Sequence, residues 1–119
     1  MATILIVEDE VRIATFIAKG LQKTGYLTHV AADGYQALEV ASKEAFDLVL
    51  LDLGLPGLGG WAVLRELRTE FPELPIIIVT ARSGLEERHQ SVTLGANDFI
   101  AKPFRFKDLL TCIESYVGR

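Results

Sequence analysis

Residues 4–9 read ILIVED, and residues 46–52 read FDLVLLD. Both are short apolar runs that end in carboxylates, and such runs are typical of parallel strands covered by helices on both faces. Further runs lie at 26–32, 76–79 and 99–101, and the last two are followed by Thr80 and Lys102. Because helical patterns separate the five runs, the sequence predicts a doubly wound α/β domain with a five-stranded parallel sheet and five helices.

The helical segments carry apolar residues at the spacing of one buried face. The fourth segment is the least regular, because its middle, EERHQ at 86–90, is polar nearly all round. The predicted bounds are 10–24, 34–44, 60–71, a start at 83–84, and 106–117. The residues expected to be buried in the first and fifth helices are Val11, Ala14, Ile17, Ala18, Leu21, Phe106, Leu109, Leu110 and Ile113.

Length and composition limit the class of protein. A chain of 119 residues predicts one domain over 1–119. With 12 basic and 16 acidic residues and a net charge of −4, we expect DNA binding only through a domain outside this chain. The single cysteine, Cys112, excludes an internal disulfide framework. Since no signal peptide and no apolar stretch of about 18 residues occurs, we expect a cytoplasmic protein without a membrane partner.

Ligands of doubly wound sheets bind outside the carboxyl ends of the strands. Glu8, Asp9, Asp52, Thr80 and Lys102 all follow strands, so they are expected to gather at that edge. Three neighbouring carboxylates repel one another unless a cation shares their site. Mg²⁺ suits such hard oxygen ligands, and it binds phosphate oxygens as well.

The carbonyl of Gly54 could add a further ligand where the chain turns away. A lysine beside an aspartate can neutralise a phosphoryl group on that aspartate, while a threonine hydroxyl can donate to one phosphoryl oxygen. The simpler interpretation is that the acids at 8–10 only stabilise the start of a helix, that Thr80 is an ordinary strand residue and that Lys102 is solvated. It leaves Asp52 unexplained, because an ionised group after a buried strand is costly unless it is paired.

Five stretches of the chain match a known pattern: VEDE at 7–10, LDLGLPG at 51–57, VTAR at 79–82, GANDF at 95–99 and KPF at 102–104. With them the whole chain resembles the receiver domain of two-component response regulators. The combination of TAR at 80–82 with KPF at 102–104 is most similar to receivers of the winged-helix transcription-regulator branch.

The resemblance implies a flavodoxin-like sheet of strand order 2-1-3-4-5. It also implies that Asp52 accepts a phosphoryl group from a sensor histidine kinase and that Glu8 and Asp9 bind Mg²⁺. Thr80 and Lys102 would contact the phosphoryl group. Phe99 would turn inward on activation, and the Lys102–Pro103 peptide bond is expected to be cis.

The same resemblance suggests a homodimer through helix 4, strand 5 and helix 5. Arg88 and Asp108 are suited to one ion pair across such a dimer, with His89 and Val92 in an apolar patch between them. Two positions on this face differ from the family. Asn97 stands where an aspartate is usual, and Cys112 stands where an arginine would face Asp98. We therefore predict a weak dimer that forms on activation.

Two other functions are compatible with parts of the sequence. The glycines of GLGGWA at 57–62 match the dinucleotide fingerprint, which would make the chain a domain of an oxidoreductase. A phosphatase with an aspartate nucleophile is a second alternative, although Gly54 stands where such an enzyme would use a second acid. The chain could also be a stand-alone regulator. We favour the other possibility, that it is the receiver of a longer transcription factor.

Overall fold

The computed structural model describes residues 1–118. Five parallel strands form one sheet in the order β2-β1-β3-β4-β5, which is the predicted topology. The strands are β1 (Thr3–Val7), β2 (Leu27–Ala31), β3 (Leu48–Leu51), β4 (Ile76–Thr80) and β5 (Asp98–Ala101). The helices are α1 (Val11–Lys23), α2 (Gly34–Lys43), α3 (Gly60–Glu70), α4 (Leu85–Thr93) and α5 (Phe106–Val117).

Alternation along the central strands divides the core into two layers. Leu5 and Val7 of β1 face the layer formed with α2 and α3, whereas Ile4 and Ile6 face the layer formed with α1 and α5. Both faces of the sheet are covered at β3 and β4, because every residue of these two strands is buried. A strand buried on both faces has no polar alternation, which is why these strands appear in the sequence as continuous apolar runs.

Several predicted details are wrong at the ends of elements. Val11 was expected in the buried face of the first helix but is 77% exposed, because the first residue of α1 lies beyond the sheet it packs on. Phe106 and Leu110 of α5 are only partly buried. Thr80 is the last residue of β4 and does not lie one residue past it. The strand at 26–32 is shorter than predicted and forms the edge of the sheet.

The turn after β3 explains its glycines without a dinucleotide. Gly57 adopts φ +66°, a conformation that favours glycine. A Cβ at Gly60 would lie 2.5 Å from the backbone oxygen of Asp52, so α3 begins against the end of β3. Gly59 has open space around its Cα. The glycines thus permit a tight turn and close helix packing.

Candidate functional site

Three carboxylates meet at the carboxyl edge of the sheet. Glu8 and Asp9 follow β1, Asp52 follows β3, and these two strands are neighbours. Each of the three side chains offers an oxygen atom within 4.8 Å of the others. Glu8 and Asp52 are 3% and 7% exposed, whereas Asp9 lies at the surface. The cluster therefore has a buried floor and one side open to solvent.

Lys102, which follows β5, extends across β4 to this cluster. Its Nζ donates to Glu8 Oε1 at 2.7 Å and to Asp52 Oδ2 at 3.2 Å. The peptide bond that joins it to Pro103 is cis. With all four groups ionised, three carboxylates and one ammonium leave a local charge of about −2. A lysine at this position therefore compensates only part of the negative charge.

The pKa values of the paired groups reflect this environment. Burial raises the pKa of Glu8, and the hydrogen bond and charge of Lys102 offset that effect only in part. Burial alone would lower the pKa of Lys102, but its contacts with Glu8 and Asp52 outweigh burial and raise it. The stability that Lys102 contributes is therefore present at neutral pH, and on the alkaline side it is lost as the pH rises through the elevated folded-state pKa of Lys102.

Backbone N–H groups complete the site in a way the sequence did not reveal. The N–H of Gly54 donates to Asp52 Oδ1 at 3.0 Å, so one oxygen of this carboxylate is held by the turn and the other by Lys102. The N–H of Arg82 donates to Thr80 Oγ1 at 3.2 Å, and Thr80 is buried. The sequence carried one signal for the contact between the Gly54 N–H and Asp52: a glycine at position 54 allows a tight turn beside the carboxylate.

The side chains present fit a divalent cation. Glu8, Asp9 and Asp52 supply hard oxygen ligands, and their shared charge exceeds what Lys102 neutralises. Mg²⁺ prefers one or two carboxylates and keeps several waters, so the open side next to Asp9 suits it. The carbonyl of Gly54 remains a predicted ligand.

Magnesium is expected to raise the stability of the folded chain. We expect the native carboxylate cluster, and not the unfolded chain, to bind the ion, so Mg²⁺ at tenfold over its dissociation constant should add about 1.4 kcal/mol. Asp52→Asn should raise the metal-free stability and reduce the magnesium effect, because it removes one repelling charge. Thermal melts in Mg²⁺ and in EDTA measure both, and coincident melts would contradict a metal site.

The predicted interface residues lie on α4, β5 and α5, at the edge of the sheet. Arg88, His89, Val92 and Asp108 are exposed. The guanidinium of Arg88 lies 4.8 Å from the ring centroid of Phe99 within the same chain, a cation–π distance. The Arg88 guanidinium is thus already engaged within its own chain.

Asp98 is also engaged within the chain. Tyr116 Oη donates to Asp98 Oδ2 at 3.2 Å, a contact that the sequence did not predict. Burial, a hydrogen bond with Asp98 and the Asp98 charge raise the pKa of Cys112 to about 12. Cys112 is therefore a neutral thiol beside Asp98 at physiological pH.

The Asn97 side chain makes hydrogen bonds within its own chain. Its Oδ1 accepts from Arg68 Nη2 at 2.7 Å and from the N–H of Ile76 at 2.8 Å. The side chain therefore braces the start of β4 against α3. The backbone carbonyl of Asn97 meanwhile accepts from Tyr116 Oη of α5 at 2.9 Å, and the role of Asn97 in a dimer stays a prediction.

The sequence of this domain matches a known protein family. The family model described as the response regulator receiver domain matches residues 4–114. The chain belongs to the response regulator receiver family. Receiver domains are signalling modules and not a classical enzyme family. This membership confirms the resemblance and the fold class, and it replaces the oxidoreductase alternative.

Curated relatives of this receiver domain are transcriptional regulators. HprR of Escherichia coli is 38% identical over 112 residues, which are 94% of this chain and 50% of the relative. The transcriptional activator IrlR of Burkholderia pseudomallei is 39% identical over 116 residues, which are 98% of this chain and 50% of the relative. The chain thus spans about half the length of these relatives.

Solved structures share the whole fold of this receiver domain. The receiver domain of NtrX from Brucella abortus has a TM-score of 0.91 at 36% identity and covers 96% of this chain and 97% of its own. The chemotaxis protein CheY4 of Vibrio cholerae has a TM-score of 0.93 at 30% identity and covers 98% of each chain. Within residues 1–118, no helix is long and apolar enough to cross a bilayer.

Proposed function

We propose that this receiver domain is a phosphorylation-dependent switch that accepts a phosphoryl group on Asp52. The observation that carries the proposal is the arrangement of that carboxylate: buried, held by the Gly54 N–H on one oxygen and by the Lys102 ammonium on the other. A purely structural aspartate would not need two further acids beside it. We propose Glu8 and Asp9 as ligands of Mg²⁺, together with Asp52 and the carbonyl of Gly54.

The proposed reaction transfers a phosphoryl group from a donor to the carboxylate of Asp52. An oxygen of Asp52 forms a bond to phosphorus, and the bond between phosphorus and the donor breaks, so that the donor leaves with the electron pair. Mg²⁺ supplies charge neutralisation of the phosphoryl oxygens when bound. The Lys102 ammonium, freed from Asp52, pairs with one phosphoryl oxygen, and the Thr80 hydroxyl donates to another. The chain therefore promotes only its own phosphorylation and dephosphorylation.

The test is to incubate the chain with acetyl phosphate and Mg²⁺ and to locate the modified residue. Intact mass should show one phosphoryl group that is lost on treatment with hydroxylamine, since only a carboxylate forms an acyl phosphate. Borohydride reduction converts an aspartyl phosphate to homoserine, and peptide mapping should find homoserine at position 52. Homoserine elsewhere, or a hydroxylamine-stable phosphate, would contradict the proposal.

The proposed donor in the cell is a sensor histidine kinase, and the proposed output is a DNA-binding domain outside this chain. Both rest on family membership and on relatives that are transcriptional regulators. Because its net charge is −4, we do not expect this domain itself to bind nucleic acid. A kinase as donor and a single cysteine are compatible with the cytoplasm. A regulator without an output domain is the alternative within the same family.

Signal transmission is proposed to run through Thr80 and Phe99. When Thr80 moves toward the phosphoryl group, space opens into which Phe99 can turn. The Arg88 guanidinium now over the Phe99 ring would then lose its partner and become available to Asp108 of a second molecule. Such a two-state packing change would couple the site to the face formed by α4, β5 and α5.

Arg82 is expected to set the lifetime of the phosphorylated state. Gly54 has no side chain to shield an acyl phosphate from water, whereas Arg82, two residues beyond Thr80, is long enough to cover it. Arg82→Ala should change the dephosphorylation rate severalfold without preventing phosphorylation. Loss of label after removal of the donor measures this, with Arg65→Ala on α3 as the charge-matched control. Equal half-lives for both variants would refute it.

The proposed dimer should be weak until activation and should gain from Cys112→Arg. Cys112 lies beside Asp98 of its own chain and is neutral, so it presents no cation to a second copy, and one missing ion pair counts twice in a twofold interface. Restoring the pair should strengthen the dimer roughly tenfold, with Cys112→Ser as the uncharged control. Sedimentation with and without beryllofluoride is the measurement. A tight dimer without beryllofluoride, or no gain from arginine, would overturn this prediction.

A further inference from the structure

A cleft lies at the end of the sheet opposite the phosphorylation site. Its volume is about 480 Å³, which is within the usual range of about 300–1,000 Å³ for ligand sites. It lies between the segment that precedes β3 and the segment that precedes β4. The cleft is therefore at the amino ends of the same two strands whose carboxyl ends hold Asp52 and Thr80.

The floor of the cleft is apolar and its rim is acidic. Phe46, Phe71, Leu74 and Pro75 line it and are only partly buried, so together they form an open apolar surface. Four exposed carboxylates surround this floor. They come from both segments, and they are Glu44, Asp47, Glu70 and Glu73. Among residues 1–118, no lysine or arginine lines the cleft.

Neighbouring groups engage part of this charge, and one of them is the N–H of Thr3, which donates to Asp47 Oδ2 at 2.8 Å. Arg68 lies close to Glu73, but its guanidinium donates to the carbonyls of Phe71 and Pro72 at 2.9 and 3.0 Å. These bonds hold one wall of the cleft in place, so the cleft is preformed. His29 Nδ1 is 3.6 Å from Glu44 Oε2 and contributes charge only when it is protonated.

From this geometry, we propose that the cleft docks a basic segment of a partner protein, with one aromatic or large aliphatic side chain on the floor and flanking basic residues at the rim. Charge complementarity selects this occupant. One small cation could reach only some of four carboxylates that are spread over two segments, whereas a segment with several basic residues can pair with them on both sides. The proposal is independent of the chemistry at Asp52.

The experiment is a titration of the ¹⁵N-labelled chain with the peptide acetyl-KRFRK-amide, followed by NMR. Saturating Mg²⁺ is present, so that the other acidic cluster does not attract the peptide. The backbone signals of Phe46, Phe71 and Leu74 are expected to shift, while those of Asp9 and Asp52 stay in place. Shifts confined to the magnesium edge would overturn the proposal.

Variants separate the two components of recognition. Glu70→Gln with Glu73→Gln should weaken the peptide about fivefold, because two exposed ion pairs are lost. The charge-matched control, Glu86→Gln with Glu87→Gln in the first turn of α4, lies outside the cleft and should bind as the parent chain does. Ala45→Trp should fill the cleft and block binding, whereas Ala45→Ser should not.

Two ligand controls decide the identity of the occupant. Acetyl-KRGRK-amide lacks the apolar side chain and should bind several times more weakly, and equal binding would reduce the site to unspecific charge attraction. Phenethylammonium carries one charge and one ring. If it binds as tightly as the peptide, the cleft is a small-molecule site and the proposed protein segment is wrong.

Discussion

Asp52→Asn is expected to lose all phosphorylation while it keeps the fold. An amide nitrogen or oxygen is too weak a nucleophile to displace a phosphate leaving group, whereas a carboxylate oxygen can form the acyl phosphate. The substitution keeps the size of the side chain, and the Gly54 N–H can still donate to the amide oxygen at position 52. Intact-mass measurement after incubation with acetyl phosphate and Mg²⁺ should therefore show only unmodified protein.

Asp9→Asn is the matched control for that result. It removes the same charge from the same cluster but leaves the proposed acceptor in place. We expect slower labelling that needs more Mg²⁺, with homoserine still found at position 52 after reduction. Labelling of Asp52→Asn at the rate of the parent chain would refute the assignment of the acceptor, and homoserine at position 9 after reduction would assign Asp9 in its place.

Lys102→Ala is expected to cause the largest loss of stability. Removing one partner of a buried pair leaves the other charges uncompensated, which costs about 3–5 kcal/mol in buried sites. We expect about 3 kcal/mol, because Glu8 and Asp52 lose their shared ammonium while the side next to Asp9 remains open to water. Saturating Mg²⁺ should restore part of this loss, since it supplies positive charge to the same carboxylates.

Urea unfolding at pH 7 in EDTA and in Mg²⁺ measures this effect. Lys107→Ala is the control, because it removes the same charge from an exposed position of α5. The loss should shrink as the pH falls toward the ordinary carboxylate range. Burial raises the pKa of Glu8 in the folded chain, so the folded state takes up a proton before the unfolded state does. Equal effects of the two variants would contradict the pairing.

The residues at the strand ends allowed the site to be located without a structure. The apolar runs before Glu8 and Asp52 predicted parallel strands, and the geometry of parallel sheets then brought distant carboxylates to one edge. The structure places Glu8, Asp9, Asp52 and Lys102 together there. This inference worked because alternation is absent when both faces of a strand are buried, and the charged residue that ends such a run is conspicuous.

Backbone contacts and exposed faces could not be predicted in the same way. The Gly54 N–H on Asp52 depends on the path of a turn, and the brace from Asn97 to Arg68 depends on the distance between α3 and the loop before β5. Val11 fits the apolar spacing of α1 but is exposed. The helical spacing predicts which face of the helix a side chain lies on, but it does not predict whether the sheet extends far enough to cover that side chain.

The sequence by itself determined the order of strands and helices along the chain, the burial of β3 and β4 on both faces and the set of residues at the carboxyl edge. These follow from local patterns of apolar residues and from rules that hold for all parallel sheets. Only the tertiary structure decided which atoms meet: Lys102 with both Glu8 and Asp52, Arg88 with Phe99, and Tyr116 with Asp98. Such contacts join residues far apart in the chain, and their distances depend on how every helix packs on the sheet.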